Sequence, residues 1–599
     1  MTGGFSAARV SGVLALVMAA WLLPGGTPAH AVCDPASADN VTATCSGVTV
    51  DQNGTAGYGT INDDNVTVTV LPGASVTGTN DGIVLGTNAA IINSGSISGT
   101  VFGVEVANTI TSLTNFGSIS GMNDGVVANV ITSLTNSGSI SAGDSGINAT
   151  NITSLVNTGS IVGGTDGILG GTITSLSNFG LIQGGNNAIH ENGGGDTLLT
   201  LGPGSILIGG IDLGGGGGNT LNVLNGLSIA NTFDPTGGPQ IITTNGAPFA
   251  VSGNQVAVAD PTNLSVQDEV LTGLTGGIFS TVQNRLNGFG QGGVSGVTSN
   301  PRPAYVGGAK SAQSAMIDDP YRQGWVQGFG SYRLQRGQEG PAVDTDIRLG
   351  GVVSGLDGAI GAGRRAGVFF GGSWGNVDAD YDSQETDVES VFGGFYARRL
   401  MGSTFADFAL TVGYSDYDQE RRVANNLVAG GLETATADYD GWFVSPEVTL
   451  TRPMWAGQQR FEKSLTLRYA GLFLDGFTET GTAAPMTVDD HDIHVLQART
   501  QLTMPIVHEG ADGSRRKSAF YVGLEGRANV GDGDVSGALL AQNIAFDPGG
   551  EDVVAAAFAG LLFERTSAGG TSLYGSIEGQ VETGGGRQAT AKGGVRFRF

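Results

Sequence analysis

Gly594-Val595-Arg596-Phe597-Arg598-Phe599 closes the chain, and in it apolar and basic side chains alternate strictly up to a final aromatic residue. A period of two puts one residue class on each face of a strand. Such a strand belongs to a sheet with two unlike faces, one against lipid or a core and one against water. It needs partners, and the sequence supplies them back to about residue 324. Phe520, Val522 and Leu524 share a face opposite Tyr521, Glu525 and Arg527, while Leu573 and Ile577 oppose Tyr574, Ser576, Glu578 and Gln580. Leu465, Leu467 and Phe473 oppose Thr466 and Arg468, and Leu496, Ala498 and Leu502 oppose Gln497, Arg499 and Gln501.

The alternation predicts twelve strands, near 325–335, 346–357, 365–376, 387–399, 404–417, 438–451, 461–475, 491–504, 516–529, 552–565, 570–582 and 588–599. A long series of alternating segments is what a transmembrane β-barrel writes into a sequence. An even number returns both ends to one side, and the longer connections, such as 418–437 and 530–551, are expected to face outward. Trp325, Tyr332, Trp374, Tyr396, Trp442 and Trp455 fall near strand ends, where an aromatic girdle is expected. A soluble sandwich also alternates, but strands this long and numerous fit it less well.

Gly supplies 103 of 599 residues and only 14% are charged, which fits sheet and tight turns rather than helices or a disordered acidic tail. Between residues 32 and 300 the one basic residue is Arg285, against seventeen Asp and Glu. That balance repels nucleic acid and anionic membranes. At the N-terminus, Arg9 precedes the apolar run Val13 to Leu23, then Pro24-Gly25-Gly26 and the small-x-small site Ala29-His30-Ala31. Residues 1–31 therefore read as a secretory signal peptide cut after Ala31, and no later stretch approaches a membrane-spanning helix. Cys33 and Cys45, the only cysteines, are expected to form a disulfide in an exported protein. Two thiols with His190 do not make a zinc site, and no metal or cofactor is expected.

From about residue 50 the chain repeats itself. Asn93-Ser94-Gly95-Ser96-Ile97 returns at Asn115, Asn136, Asn157 and Asn178, in steps of 22, 21, 21 and 21 residues. Ile-Thr-Ser-Leu recurs at 110–113, 131–134, 152–155 and 173–176. Fixed-period self-similarity marks a solenoid. Short strands with inward Ile, Leu and Val, and corners of Gly, Asn and Asp, predict a right-handed parallel β-helix over 32–226, with Asn ladders along a corner. Gly143-Asp144-Ser145-Gly146 matches the surroundings of a serine-protease nucleophile, but it sits in the repeat register with Asp124-Gly125 and Asp166-Gly167, and the base it would need, His190, is two coils away. Gly193 to Leu198 and Gly214 to Leu221 are similar to Ca²⁺-binding nonapeptides, yet only two imperfect copies occur. No catalytic residue is assigned, and the protein is not expected to be an enzyme.

Residues 227–260 read as a less regular, strand-rich junction. Asp260-Pro261 offers a helix start, and Leu264, Leu271, Leu274, Ile278, Val282 and Leu286 form one apolar stripe. Gly273, Gly276 and Gly277 weaken a free helix by roughly 1 kcal/mol each, so a helix here is expected to be held inside something. Residues 287–323, rich in Gly and Pro, read as a linker within a 261–323 segment that leads into a 324–599 barrel.

Signal peptide, β-helix, amphipathic helix and C-terminal twelve-strand barrel together resemble the monomeric autotransporters of type Va secretion in Gram-negative bacteria. The resemblance implies that inner-membrane secretion machinery exports the chain and that Val595, Phe597 and Phe599 signal to barrel-assembly machinery. It also implies that the barrel sits in outer-membrane lipid with the helix through its lumen, and that the passenger lies outside as a monomer facing an unknown extracellular ligand. The 227–260 junction would be the autochaperone of such a chain. Some members cut their passenger within the helix at Asn or Asp, and Asn284 is the nearest position here. A coil without a convergent acid, base and nucleophile favours an adhesin-like passenger over a hydrolase, and over a channel with an accessory β-helix.

Overall fold

A computed structural model describes residues 32–286 and 322–598, apart from 338–339, 458, 511–513, 532 and 568–569. The expected signal peptide with Ala29 and Ala31, most of the 287–323 linker, and Phe599 lie outside the described residues.

The first region is a parallel β-solenoid of about ten turns. Each strand pairs in register with its equivalent one coil later, so identical sequence positions stack. Ile97, Ile119, Ile140, Ile161 and Ile182 form one continuous row in the core, and Leu113, Leu134, Leu155 and Leu176 form another. All nine are at most 1% exposed. At the corner the asparagines form an amide ladder: Nδ2 of Asn93, Asn115, Asn136 and Asn157 each donates to Oδ1 of the next asparagine at 2.8 Å. Asn178 ends it on the Ser205 hydroxyl, also at 2.8 Å. These amides are fully buried, and a buried polar group must be paired or it costs stability. Glycine after each asparagine is a steric requirement, since a Cβ at Gly138 would lie 2.0 Å from the Gly117 carbonyl oxygen of the coil below. At the N-terminal end, Cys33 and Cys45 are joined by a disulfide, and Cys33–Asp34 pairs antiparallel with Thr44 and Cys45 to cap the first coil.

The second region is a closed antiparallel barrel of twelve strands: β1 (Gln323–Gln335), β2 (Thr345–Gly361), β3 (Arg364–Ala379), β4 (Gln384–Met401), β5 (Thr404–Ala424), β6 (Leu432–Ala456), β7 (Gln459–Leu474), β8 (His491–Glu509), β9 (Arg515–Asn529), β10 (Val553–Thr566), β11 (Ser572–Glu582) and β12 (Arg587–Arg598). Closure comes from β1 against β12, from Gln323 opposite Arg598 to Leu334 opposite Arg587. Every alternating segment expected from the sequence is a strand.

Two differences from the sequence reading stand out. Residues 418–424 and 432–437, expected as part of a long loop, are strand, so the β5–β6 hairpin turns only at 425–431. Polar residues such as Gln419 and Arg421 on the inward face gave no sign of a strand, although that face is buried with Val423, Ala435 and Ala437. The expected loop 530–551 likewise contains strands Val535–Leu539 and Gln542–Phe546, which join Phe477–Thr478 and Met486–Val488 in a four-stranded sheet. In the junction, Ser228–Thr232, Phe249–Ser252 and Gln255–Val258 form a small sheet that pairs with the barrel hairpin, Ser228 opposite Val423 and Ile229 opposite Ala424.

Candidate functional site: a helix-filled lumen and its outer mouth

The helical segment is broken. Thr262–Ser265 makes a short turn, α1, and Gln267–Leu286 makes the long helix α2, with Val266 between them at φ −114° and ψ 7°. Ahead of α1, the Asp260 carboxylate accepts from Thr262 N and from Thr262 Oγ1 at 2.6 Å, while Ser383 at the start of the β4 side donates to its other oxygen at 3.0 Å. Leu264, expected in one stripe with the rest, therefore sits in α1, and Leu271, Leu274, Ile278, Val282 and Leu286 lie on α2. All six are buried.

The lumen that holds α2 has two unlike walls. Phe329, Ile347, Leu349 and Val353 of β1 and β2 point inward and share a core with the stripe on α2. The glycines that weaken the helix allow this approach: a Cβ at Gly277 would lie 2.5 Å from the Phe329 ring, and one at Gly273 would lie 2.7 Å from Leu349. Opposite, the wall is polar. Arg468 donates to Glu447 at 2.8 and 3.0 Å, Glu447 accepts from Gln283 of the helix at 3.1 Å, and the Arg468 guanidinium stands 4.9 Å from the Phe279 ring centre. Glu269, near the outer end of α2, accepts from Arg527 at 3.1 Å, and Glu582 holds Arg333 at 2.6 Å and Arg527 at 3.3 Å. Each charge is buried, and each has a partner, as burial of a charge demands. What remains open is a cavity of about 160 Å³, lined by Ser280, Gln283 and Asn284 and by this polar wall.

At the inner end, Arg285 donates through Nε and Nη2 to the two oxygens of Asp357, and through Nη2 to Gln323 at 2.9 Å. Asp357 also accepts from Arg365 and from the Tyr396 hydroxyl at 2.7 Å, and Tyr396 accepts from Trp325 Nε1 at 2.8 Å. Trp325 and Tyr396, expected in the outer girdle, are thus inward-facing and 1% and 0% exposed. An aromatic near a strand end looks the same in sequence whether it faces lipid or lumen, and here Gly355 and Gly367 leave room for the two rings inside. Trp374, Trp442 and Trp455 do face outward, at 60%, 60% and 68% exposure, as does Tyr332.

The outer mouth carries the passenger. Asn426, in the β5–β6 turn, is 1% exposed; its amide donates to the carbonyls of Gly209 and Thr232 at 2.9 Å and accepts from Thr232 N at 2.8 Å. Asn225 and Asn245 of the last coils both donate to the Gly340 carbonyl in the β1–β2 loop, at 2.7 and 2.9 Å. Beside them Arg421 is closed on Glu479, its Nε at 2.9 Å, with both side chains buried.

In the passenger, Ser145 is buried with its N–H on Asp124 at 3.0 Å, and His190 lies 3.5 Å from Asp166. The structure does not bring Ser145 and His190 together as a pair. Among the described residues, no group of three or more His, Cys, Asp and Glu could hold a metal.

Residues 324–591 match the Autotransporter beta-domain family. That segment is an autotransporter β-domain. The autotransporter barrel is similar in fold to the translocator domain of NalP from Neisseria meningitidis, at 14% identity and a TM-score of 0.38, over 48% of this chain and 93% of that one. It is similar to the β domain of the Bordetella autotransporter BrkA at 16% identity and a TM-score of 0.35, over 47% and 100%. An outer-membrane channel from Pseudomonas putida F1 is also similar, at 12% identity and a TM-score of 0.30, over 47% and 96%. The chain matches no curated protein. As an autotransporter it moves its own passenger, with the barrel in the outer membrane and the passenger at the cell surface. The end of the lumen that holds Arg285 and Asp357 is therefore periplasmic, and the mouth with Asn426 is extracellular.

Proposed function

We propose that the solenoid is an adhesin-like passenger that stays attached to its barrel and presents its coil faces to an extracellular ligand. The observation that carries this reading is the seat of the last coils on the barrel, with Asn426 buried between Gly209 and Thr232. A passenger held this way leaves its upper coils free for contact. Those coils display short polar side chains with isolated large apolar ones, Phe116 at 59% exposure and Met122 at 71%. Exposed rows on a rigid solenoid suit recognition by surface rather than chemistry in a cleft.

In this reading residues 32–226 are the passenger proper, 227–260 its junction and 261–323 the pore segment. Inner-membrane secretion machinery removes 1–31 after Ala31, barrel-assembly machinery reads Val595, Phe597 and Phe599, and the product is monomeric. Asn284 marks where a cut within the helix would fall.

The test is adherence of Gram-negative cells that express the full chain to immobilised matrix proteins and to cultured cells. The reading predicts attachment that disappears after external proteolysis and weakens in Phe116→Ser and Met122→Ser. Cells that attach no better than controls, with hydrolytic activity on their surface instead, would refute it. Recovery of the N-terminal half from the medium would show a released passenger.

A further inference from the structure

We propose that Arg285 is the register key of translocation: it is the one cation of the passenger half, and its pairing with Asp357 fixes which residues of the chain stop inside the lumen.

The sequence observation is an exclusion. Across residues 32–300 no second Lys or Arg exists, while Asp and Glu occur seventeen times. Only Arg285 can therefore neutralise a carboxylate on the wall. An acidic or neutral side chain that passes Asp357 makes no ion pair there, so the passenger has no competing charged stop.

The structural observation is a seat framed by the barrel's own residues. With the helix in place the Asp357 side chain is 0% exposed, and on the barrel side it is held by Arg365 and by Tyr396, which Trp325 orients in turn. Gly355 and Gly367 make the space: a Cβ at Gly355 would lie 2.5 Å from the Trp325 ring, and one at Gly367 would lie 2.6 Å from both Asp357 and Tyr396. Into this frame Arg285 fits with both arms on the carboxylate and one on Gln323, the first residue of β1. A planar two-point contact of this kind specifies position as well as charge. Along the rest of α2 the contacts repeat with helical spacing: Gly273 and Gly277, one turn apart, meet Leu349 and Phe329 in the same way. A slip by one turn, about 6 Å, would leave similar apolar packing but would take Arg285 off Asp357, which would keep only Arg365 and Tyr396. Arg285 is thus a positioning residue for the resting state of the pore.

The experiment uses cysteine reporters in the full chain in cells. Gly277→Cys with Phe329→Cys reports the native register, and Gly273→Cys with Phe329→Cys reports a slip of one turn. In the parent chain only the first pair should cross-link. Arg285→Gln should lower that link roughly tenfold and raise the second, while the barrel keeps its heat-dependent gel mobility; Arg285→Lys should restore most of the native link. Independently, Met122→Arg puts a rival cation at an exposed passenger corner. It should slow surface appearance severalfold in pulse–chase, and Asp357→Asn should remove that delay. An R285Q chain whose 277–329 link is undiminished, or an M122R delay that persists with D357N, overturns the proposal. So does an R285Q chain in which neither link forms, because Arg285 would then serve entry of the helix rather than choice of register.

Discussion

The barrel and the solenoid are both all-β, yet they handle buried polarity in opposite ways. The barrel lumen is packed with charges matched in pairs, Arg468 with Glu447, Arg527 with Glu269 and Glu582, Arg398 with Asp407, Arg421 with Glu479. Among the described residues of the solenoid the one acid–base contact is His190 with Asp166. Its interior polarity is carried by neutral amides stacked from Asn93 to Asn178. The difference follows from what each must do. A lumen that held a fixed unpaired charge would bind the passing chain, and a passenger with cations would find carboxylates to bind. Amide ladders need only the identical neighbour, which exists once the previous coil has formed, so the passenger's polar order assembles outside, coil on coil.

The contrast can be broken at several points. The largest effect is expected from Ile140→Ala in the solenoid core, where a fully buried side chain contacts its equivalents above and below; such truncations cost about 2–5 kcal/mol. Hydrogen exchange of purified full chain should show faster exchange in residues 96–182 and unchanged protection in the barrel strands. Asn136→Ala comes next. It leaves the Asn115 amide with only the Gly117 and Ser139 carbonyls at 3.2 Å and removes the ladder donor to Asn157, at roughly 1–3 kcal/mol for a buried group left unpaired, and should open the same coils. Restoring the ladder with Gln should fail, since the longer side chain misplaces the amide.

Asn426→Ala tests the join between the two regions. Removing its bonds to Gly209 and Thr232 should cost about 1–2 kcal/mol of docking, read as faster exchange at 206–232 and easier proteolysis there, with β1–β12 unaffected. The smallest effect concerns pH. Glu191 is 1% exposed; one carboxylate oxygen accepts from Thr197 and from Ile173 N, and the other has no protein partner. Desolvation raises its pKa above the ordinary carboxylate value, and Asp124 and Glu105 are raised for the same first reason. A group whose folded pKa is raised binds its proton more tightly when folded. The solenoid should therefore gain stability as pH falls from neutrality toward the unfolded carboxylate value, and Glu191→Gln should flatten that rise in a urea titration repeated across pH.

Much of this was readable from residues alone, for specific physical reasons. Alternation at period two gave all twelve barrel strands, because lipid on one side and a lumen of different polarity on the other impose it along most of the wall. Repetition of Asn-x-Gly-x-Ile gave the solenoid and its ladder. What stayed hidden depended on contacts far apart in sequence. In β2 the inward side carries Ile347, Leu349 and Val353 while Arg348 faces out, so local polarity inverts, and only the helix against that wall explains it. Asp357 is the last residue of an expected strand with nothing local to single it out, and Trp325 and Tyr396 looked like girdle. The hint was available in Gly355 and Gly367, bulk-free positions beside large rings, but pairing them required the register of β1 to β4. Asn426 had no signal, because an asparagine in a turn is ordinary.

The central claim is that a folded passenger stands outside on a barrel that retains its pore helix. External protease added to intact cells, with immunoblots for both halves, tests it most directly. The account predicts loss of the N-terminal half and a protected fragment that contains α2 and all of β1–β12. A passenger that stays protected until the outer membrane is opened would contradict it.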